Sequence, residues 1–291
     1  MFKIKYIIFL ISTIFFFTLI PAETYSNSYI DMQVHFIDVG QGDSMLIQTP
    51  SNKTILIDGG PPEAGEKVVS YLKEQRISSI DLLVATHPDI DHIGGLPHVM
   101  KEVQVKNILD SGKLHSTKTY TDYLEQIRKQ NIPVQIAMEN EKVKLDPALT
   151  IRILNTYGAT KTNNQSSIVL KITYEEVDFL FMSDIEMEQE KKLLEDHNLE
   201  AEIIKVAHHG SNTSTSFPFL QEVKPETALL TYSKANDFGH PVDRVIDNLN
   251  KINATIYSTA AFGDIVIRTD GKNYVVIPDE NPLQRMIRTA S

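Results

Sequence analysis

The chain has 291 residues, 42% of them hydrophobic, which is enough for a full core in one large domain. It contains no cysteine, so disulfide staples, thiolate metal ligands and a cysteine nucleophile are excluded. Its formal net charge of −10 argues against strong non-specific binding to nucleic acid, although a cluster of bound cations would change the local field.

Lys3 and Lys5 precede an apolar run, residues 6–20, closed by Pro21-Ala22-Glu23. A positive start followed by an apolar stretch is the pattern of an export signal. Residues 1–22 are therefore read as a signal peptide or N-terminal membrane anchor, with membrane association through residues 6–20 if it is retained. Its removal takes away two lysines and no acid, shifting the charge from −10 to −12. Residues 23–29 form a polar tether, residues 30–278 the folded body, and residues 279–291 a loose tail.

Within the body, alternation predicts a strand over 32–39, ending in Gly40-Gln41-Gly42-Asp43-Ser44, and two more over 45–48 and 54–57. Asp58-Gly59-Gly60 closes the third strand. Val68, Val69 and Leu72 give helical spacing over 64–75. A buried strand over 80–85 leads into Thr86-His87-Pro88-Asp89-Ile90-Asp91-His92-Ile93-Gly94-Gly95, and a short helix is predicted over 93–103. Strands are predicted over 105–109, 134–136 and 149–153, with a helix over 117–129. The remaining strands are 166–172, 177–182, 202–206, 227–232, 254–258, 264–268 and 273–277. Helices over 187–196, 217–223 and 243–250 are interleaved with them. Three strands precede any helix, and the glycine-rich turn leads into a strand. This disfavours a simple doubly wound sheet and favours two sheets faced with helices, in one globular domain.

Residues 87–92 carry the chemistry. His87, Asp89, Asp91 and His92 place two imidazoles and two carboxylates within six residues, where a strand gives way to a loop. That set suits zinc, manganese or iron at a hydrolytic centre. In an extended segment the i, i+2 spacing lets His87 and Asp89 face one site, while Asp91 and His92 turn toward a second ion. Pro88 holds His87 extended. Asp184, at the end of an apolar run, and the pair His208-His209, at the end of another, are later ligand candidates.

These segments together carry a family resemblance. Phe36 to Ser44, Leu56 to Gly60, His87 to Gly95, Asn163-Asn164 with Ser167 to Leu170, Met182-Ser183-Asp184, Lys205 to Ser211 and Gly239-His240-Pro241 resemble the metallo-β-lactamase fold superfamily of metal hydrolases. Within it the chain is most similar to the extracellular hydrolase domain of bacterial competence DNA-uptake channel proteins. The resemblance spans residues 32 to about 277. It implies an α/β fold, a four-layer αββα sandwich in a single domain. It also implies two divalent metal ions, Zn or Mn, with His87 and Asp89 facing the first, Asp91 and His92 the second, and Asp184 bridging them.

One of His208 and His209 is then a metal ligand, with His209 favoured, and the other contacts substrate or shuttles protons. Asp91, His208 and His240 are the catalytic candidates. Asp43, Asp58, Asn164, Ser167 and Ser211 are expected to support the ligands or touch substrate. The sequence departs from the broader superfamily in two places. Asp89 stands where a second histidine is usual, and a mid-chain histidine has no match, Asn163, Asn164 and Ser167 occupying that region.

The implied activity is hydrolysis by metal-bound hydroxide on a phosphodiester, DNA being the substrate the resemblance supplies, with or without a partner channel protein. Two alternatives stand beside it: a phosphodiesterase for wall polymers or phosphocholine-type substrates, and a non-enzymatic surface module stabilised by metal. The expected location is outside the cytoplasmic membrane, secreted or anchored. Oligomeric state is not legible.

Overall fold

Side chains alternate across a strand, so a strand between two apolar layers must be apolar on both faces. Thr54–Ile57, Leu82–Ala85 and Thr227–Leu230, buried at every position, meet that condition. The computed structural model describes residues 32–158 and 161–280; the predicted export segment, tether and most of the tail lie outside them.

In chain order the strands begin β1 (Met32–Phe36), β2 (Met45–Gln48), β3 (Thr54–Ile57), β4 (Ser79–Ile80), β5 (Leu82–Ala85), β6 (Gln104–Val105), β7 (Ile108–Asp110), β8 (Val134–Ile136) and β9 (Lys142–Val143). They continue as β10 (Leu149–Asn155), β11 (Val169–Tyr174), β12 (Val177–Phe181), β13 (Ile203–Lys205), β14 (Thr227–Leu230), β15 (Thr255–Ser258), β16 (Ile265–Thr269) and β17 (Tyr274–Pro278). The helices are α1 (Gly65–Glu74), α2 (Ile90–Ile93), α3 (Leu96–Glu102), α4 (Lys118–Gln130), α5 (Met187–Asp196), α6 (Phe217–Val223), α7 (Asp243–Lys251) and α8 (Thr259–Phe262).

One sheet runs β17-β16-β1-β2-β3-β5-β7-β8 and a second runs β15-β14-β13-β12-β11-β10-β9. Met32, Val34 and Phe36 of β1, Leu82 and Val84 of β5, and Phe179 and Phe181 of β12 meet in the layer between the sheets. The intervening residues face outward. Leu83 and Ala85 pack beneath α1, α3 and α4, while Leu180 and Met182 pack beneath α5, α6 and α7. The four-layer αββα arrangement implied by the resemblance is the one observed. The rings of Phe36 and Phe181, one from each sheet, stack with centroids 6.3 Å apart.

Three predicted elements are broken in two. The strand expected over 80–85 divides at Asp81, whose carboxylate accepts from the Thr54 backbone (3.0 Å) and from Lys106 (2.8 Å). The residues before it instead pair with β6 in a small separate ladder. That ladder also takes the start of the strand expected over 105–109. The helix expected over 93–103 divides at Gly94-Gly95. A Cβ at Gly95 would stand 2.2 Å from the carbonyl oxygen of Gly59, so the glycines allow two loops to touch. Asn164–Ser166 forms a short 3-10 turn where a strand start was expected.

β5 lies parallel to β3 and β7, and β12, β13 and β14 lie parallel to one another. The loops leaving the C-terminal ends of β5, β12, β13 and β14 therefore emerge on one side, as binding loops do in layered α/β folds. Those loops carry His87 to His92, Asp184, His208-His209 and Thr231.

Candidate metal centre

Among the described residues, two groups of acidic and histidine side chains have ligand atoms close enough together to share a cation: Asp91, His92, Asp184 and His209, and Asp43, Asp58 and His92. In the first group, Asp184 Oδ2 lies 3.3 Å from His92 Nε2 and 3.5 Å from His209 Nε2, and Asp91 Oδ2 lies 3.3 Å from His209 Nε2. His92, His209 and Asp184 are buried. The Nε2 atoms of His87, His92 and His209 and Oδ1 of Asp184 are all buried without a hydrogen-bond partner. Unsatisfied buried polar atoms are costly and rare. Four of them in neighbouring positions, on residue types that bind zinc or manganese, fit a divalent cation.

The atoms of the second group already have protein partners. Asp58 accepts from the Thr86 backbone N–H (2.9 Å), from Thr86 Oγ1 (2.6 Å) and from His92 Nδ1 (2.8 Å). Asp43 forms an ion pair with the ammonium of Lys205, and neither side chain is exposed. Asp43 also accepts from Thr231 Oγ1 at 2.5 Å. This group thus lies behind the first and shares His92 with it. It fixes His92 with Nδ1 toward Asp58, freeing Nε2 for a cation. His209 is fixed in the same way, with Nδ1 donating to the Thr231 carbonyl at 2.7 Å.

His208 sits differently. Its Nε2 is 3.6 Å from Asp184 Oδ2 and 3.3 Å from Asn164 Nδ2, and its side chain is one-fifth exposed. It therefore faces the open side of the centre while His209 lies inside it. His87 Nε2 stands 3.5 Å from Asp89 Oδ2, and the rings of His87 and His92 lie 4.0 Å apart. His87 and Asp89 thus form a half-site beside the four-residue cluster. Asn163 Nδ2 donates to Asp89 Oδ1 at 2.6 Å.

Ser167 Oγ accepts from the Asp184 backbone at 3.3 Å. Ser211 reaches the centre only at second hand, since its hydroxyl contacts Thr213, which in turn meets His208 Nδ1 at 3.2 Å. His240 packs edge-on against His208, centroids 5.6 Å apart.

Several contributors carried no distinct sequence signal. Lys205 ends an apolar strand, where a lysine reads as a surface anchor. Thr86 and Thr231 end buried strands. Ser183 Oγ donates to Thr86 Oγ1 at 2.9 Å. Arg244 donates to the carbonyls of Asn212, Ser214 and Thr215, bracing the loop after His209. The backbone was hidden as well. Asp58, Ser183, His208 and His209 have φ of 57°, 47°, 50° and 54°, in the left-handed region that non-glycine residues seldom occupy. Such residues cost on the order of 1 kcal/mol or more each and cluster at functional sites. Gly42 serves a related purpose. Its absent Cβ would stand 2.2 Å from the Asp91 carbonyl oxygen, so the loop at 40–44 lies directly on the ligand loop.

Without a cation, the acids recruit protons. Burial opposes charge on His92, but Asp184 and Asp91 outweigh it and hold its pKa well above the ordinary value. Burial likewise opposes charge on His209, and Asp184, with Asp91 and Asp43, raises it to about 9. Burial pushes Asp184 up, and the two imidazoliums overcome that and hold it well below the usual range.

The His209 ring is therefore charged at pH 7, and Asp184 and Asp91 favour the charged form of His92 as well. The stability gained from charged His209 is complete below its unfolded pKa, ~6.5, and is lost as pH rises through about 9. A divalent cation needs the neutral rings, so its binding releases protons and strengthens with pH over the same window. Competition titration against a chromophoric chelator is expected to show affinity falling by about tenfold or more per pH unit between pH 8 and pH 6. An affinity flat across that range counts against this centre.

The family model described as Metallo-beta-lactamase superfamily matches residues 37–233. The chain is 29% identical over 260 residues to ComE operon protein 3 of Bacillus subtilis (strain 168), covering 81% of this chain and 33% of that protein. It is 27% identical over 216 residues to Competence protein ComA of Neisseria gonorrhoeae, covering 72% of this chain and 28% of that protein. The chain thus spans about a third of the length of the curated relatives it matches. Among solved structures, the metallo-beta-lactamase fold protein YhfI of Bacillus subtilis superimposes with a TM-score of 0.53 at 15% identity, covering 78% of this chain and 95% of YhfI. At that identity the likeness concerns the fold alone.

Proposed function

The chain belongs to the metallo-beta-lactamase superfamily, and from that premise we propose that it is an exported metal-dependent phosphodiesterase that acts on DNA. The observation that carries the reading is the set of four unsatisfied buried atoms, three imidazole nitrogens and one carboxylate oxygen, gathered at the shared edge of two sheets. Asp91, His92, Asp184 and His209 would hold one divalent cation. His87 and Asp89 would hold a second, with Asp184 between them. Such ions supply Lewis acidity and lower the pKa of water toward neutrality. Three carboxylates in the set favour a hard ion such as manganese alongside zinc.

The chain's own residues do the rest. Asp58 and the Thr231 carbonyl orient His92 and His209, and Asp43 with Lys205 backs both rings. His208, with Asn164 beside it and His240 packed against it, would hold a proton at the leaving oxygen. The resemblance supports DNA as substrate and a channel protein as partner, a relative named for competence is in keeping with it, and Lys3, Lys5 and residues 6–20 support export.

The test is metal analysis of the purified protein, followed by hydrolysis of DNA and of bis-p-nitrophenyl phosphate with added manganese or zinc. Cleavage of both supports the reading. Cleavage of the small ester with DNA left intact reassigns the substrate to wall polymers or phosphocholine-type esters. Bound metal with no hydrolysis of either removes the enzymatic reading.

A further inference from the structure

We propose that Phe238 is a preformed stacking platform for a nucleobase of the substrate, set beside the metal centre. The residue is 68% exposed. A single exposed aromatic is ordinarily unremarkable on a protein surface, but this one is held in place. Asn236 ties its loop together, accepting from the N–H groups of Phe238 (3.1 Å) and His240 (3.0 Å) and donating to the carbonyls of Ser233 (2.6 Å) and His240 (2.7 Å). One face of the Phe238 ring stacks on His240, centroids 5.7 Å apart and planes 24° from parallel. His240 in turn abuts His208, whose Nε2 lies 3.6 Å from Asp184 Oδ2. A line of rings thus leads from the metal ligands to an open aromatic face, and Gly239 between the last two has open space where a Cβ would be.

The occupant follows from charge and shape. With a net charge of −10 the chain is a poor electrostatic trap for a polyanion. Grip beyond the metal centre must come from uncharged faces, and stacking of bases on aromatic rings supplies it without sequence preference. A quaternary ammonium is held by several ring faces acting as a cage, whereas Phe238 offers one open face, which suits a flat base. The inference rests on the phosphodiester reading for the chemistry at the centre, but it is tested by binding alone.

The chain contains no tryptophan, so F238W introduces a unique fluorophore at the platform. Emission of F238W is expected to be quenched to saturation by a phosphorothioate-linked single-stranded oligothymidylate and little changed by an abasic oligomer of the same length. By fluorescence anisotropy with labelled oligomers, the unsubstituted protein is expected to bind the thymidylate about tenfold more tightly than the abasic oligomer, and F238A to bind the two alike. Equal binding of both oligomers by the unsubstituted protein overturns the proposal. So does F238W emission that ignores the oligothymidylate, or that responds to phosphocholine in its place. If DNA is bound in this base-dependent way but never cleaved, the phosphodiesterase reading fails while the platform stands.

Discussion

Asp184→Asn is expected to remove bound metal and lower hydrolysis on the order of 10³-fold while the protein stays folded. A metal's stabilisation of transition-state charge is worth several kcal/mol, and each 1.36 kcal/mol is about a factor of ten. Asp184 Oδ2 is the atom nearest to three histidines at once, 3.3 Å from His92, 3.5 Å from His209 and 3.6 Å from His208. An amide there keeps the shape but loses the anion. The fold tolerates the change because the amide is the same size as the carboxylate and removes only one of the acids that favour the charged imidazoles. Metal content by mass spectrometry and far-ultraviolet circular dichroism separate the outcomes. Full metal content with undiminished turnover would dismiss Asp184 from the centre, and loss of secondary structure would make it a residue of the fold.

The second large effect is one of stability. Lys205→Met leaves the Asp43 carboxylate buried without its cation, and breaking a buried pair from one side costs roughly 3 to 5 kcal/mol. Burial pushes the Asp43 carboxyl up, and Lys205 is the main group holding it below its ordinary value. The double substitution Asp43→Asn with Lys205→Met is expected to recover much of the loss, because a charge is then no longer stranded. Urea denaturation of the two single variants and the double variant closes the cycle. Near-additive losses would show that the two groups do not depend on each other.

The fold was legible wherever strands obey the two-faced apolar rule. The runs over 177–182 and 202–206 read as strands, and β12 and β13 occupy them. Elements broke where a side chain or a missing one had a distant partner. Asp81 answers to Thr54 and Lys106, and Gly95 answers to Gly59, and such partnerships have no local periodicity. The ligand loop was visible by density alone, with four ligand types in six residues. That Asp184 and His209 meet it was not visible from spacing, since 92 residues separate Asp184 from His92, and it came from the resemblance. The distinction between His208 and His209 depends on backbone angles and on the Thr231 carbonyl, neither of which a sequence displays.

The left-handed corners at Asp58, Ser183, His208 and His209 also bear on how this protein would respond to selection. Glycine relaxes such corners at little steric expense, so a laboratory screen that rewards heat tolerance alone would accept glycine exchanges wherever the strain relieved exceeds the hydrogen bonds lost. Each would erase a side chain that orients or surrounds the centre. Lineages evolved that way would grow hardier while eroding the candidate metal centre, and a thermostable variant worth keeping must be sought by screening for divalent-metal binding together with survival.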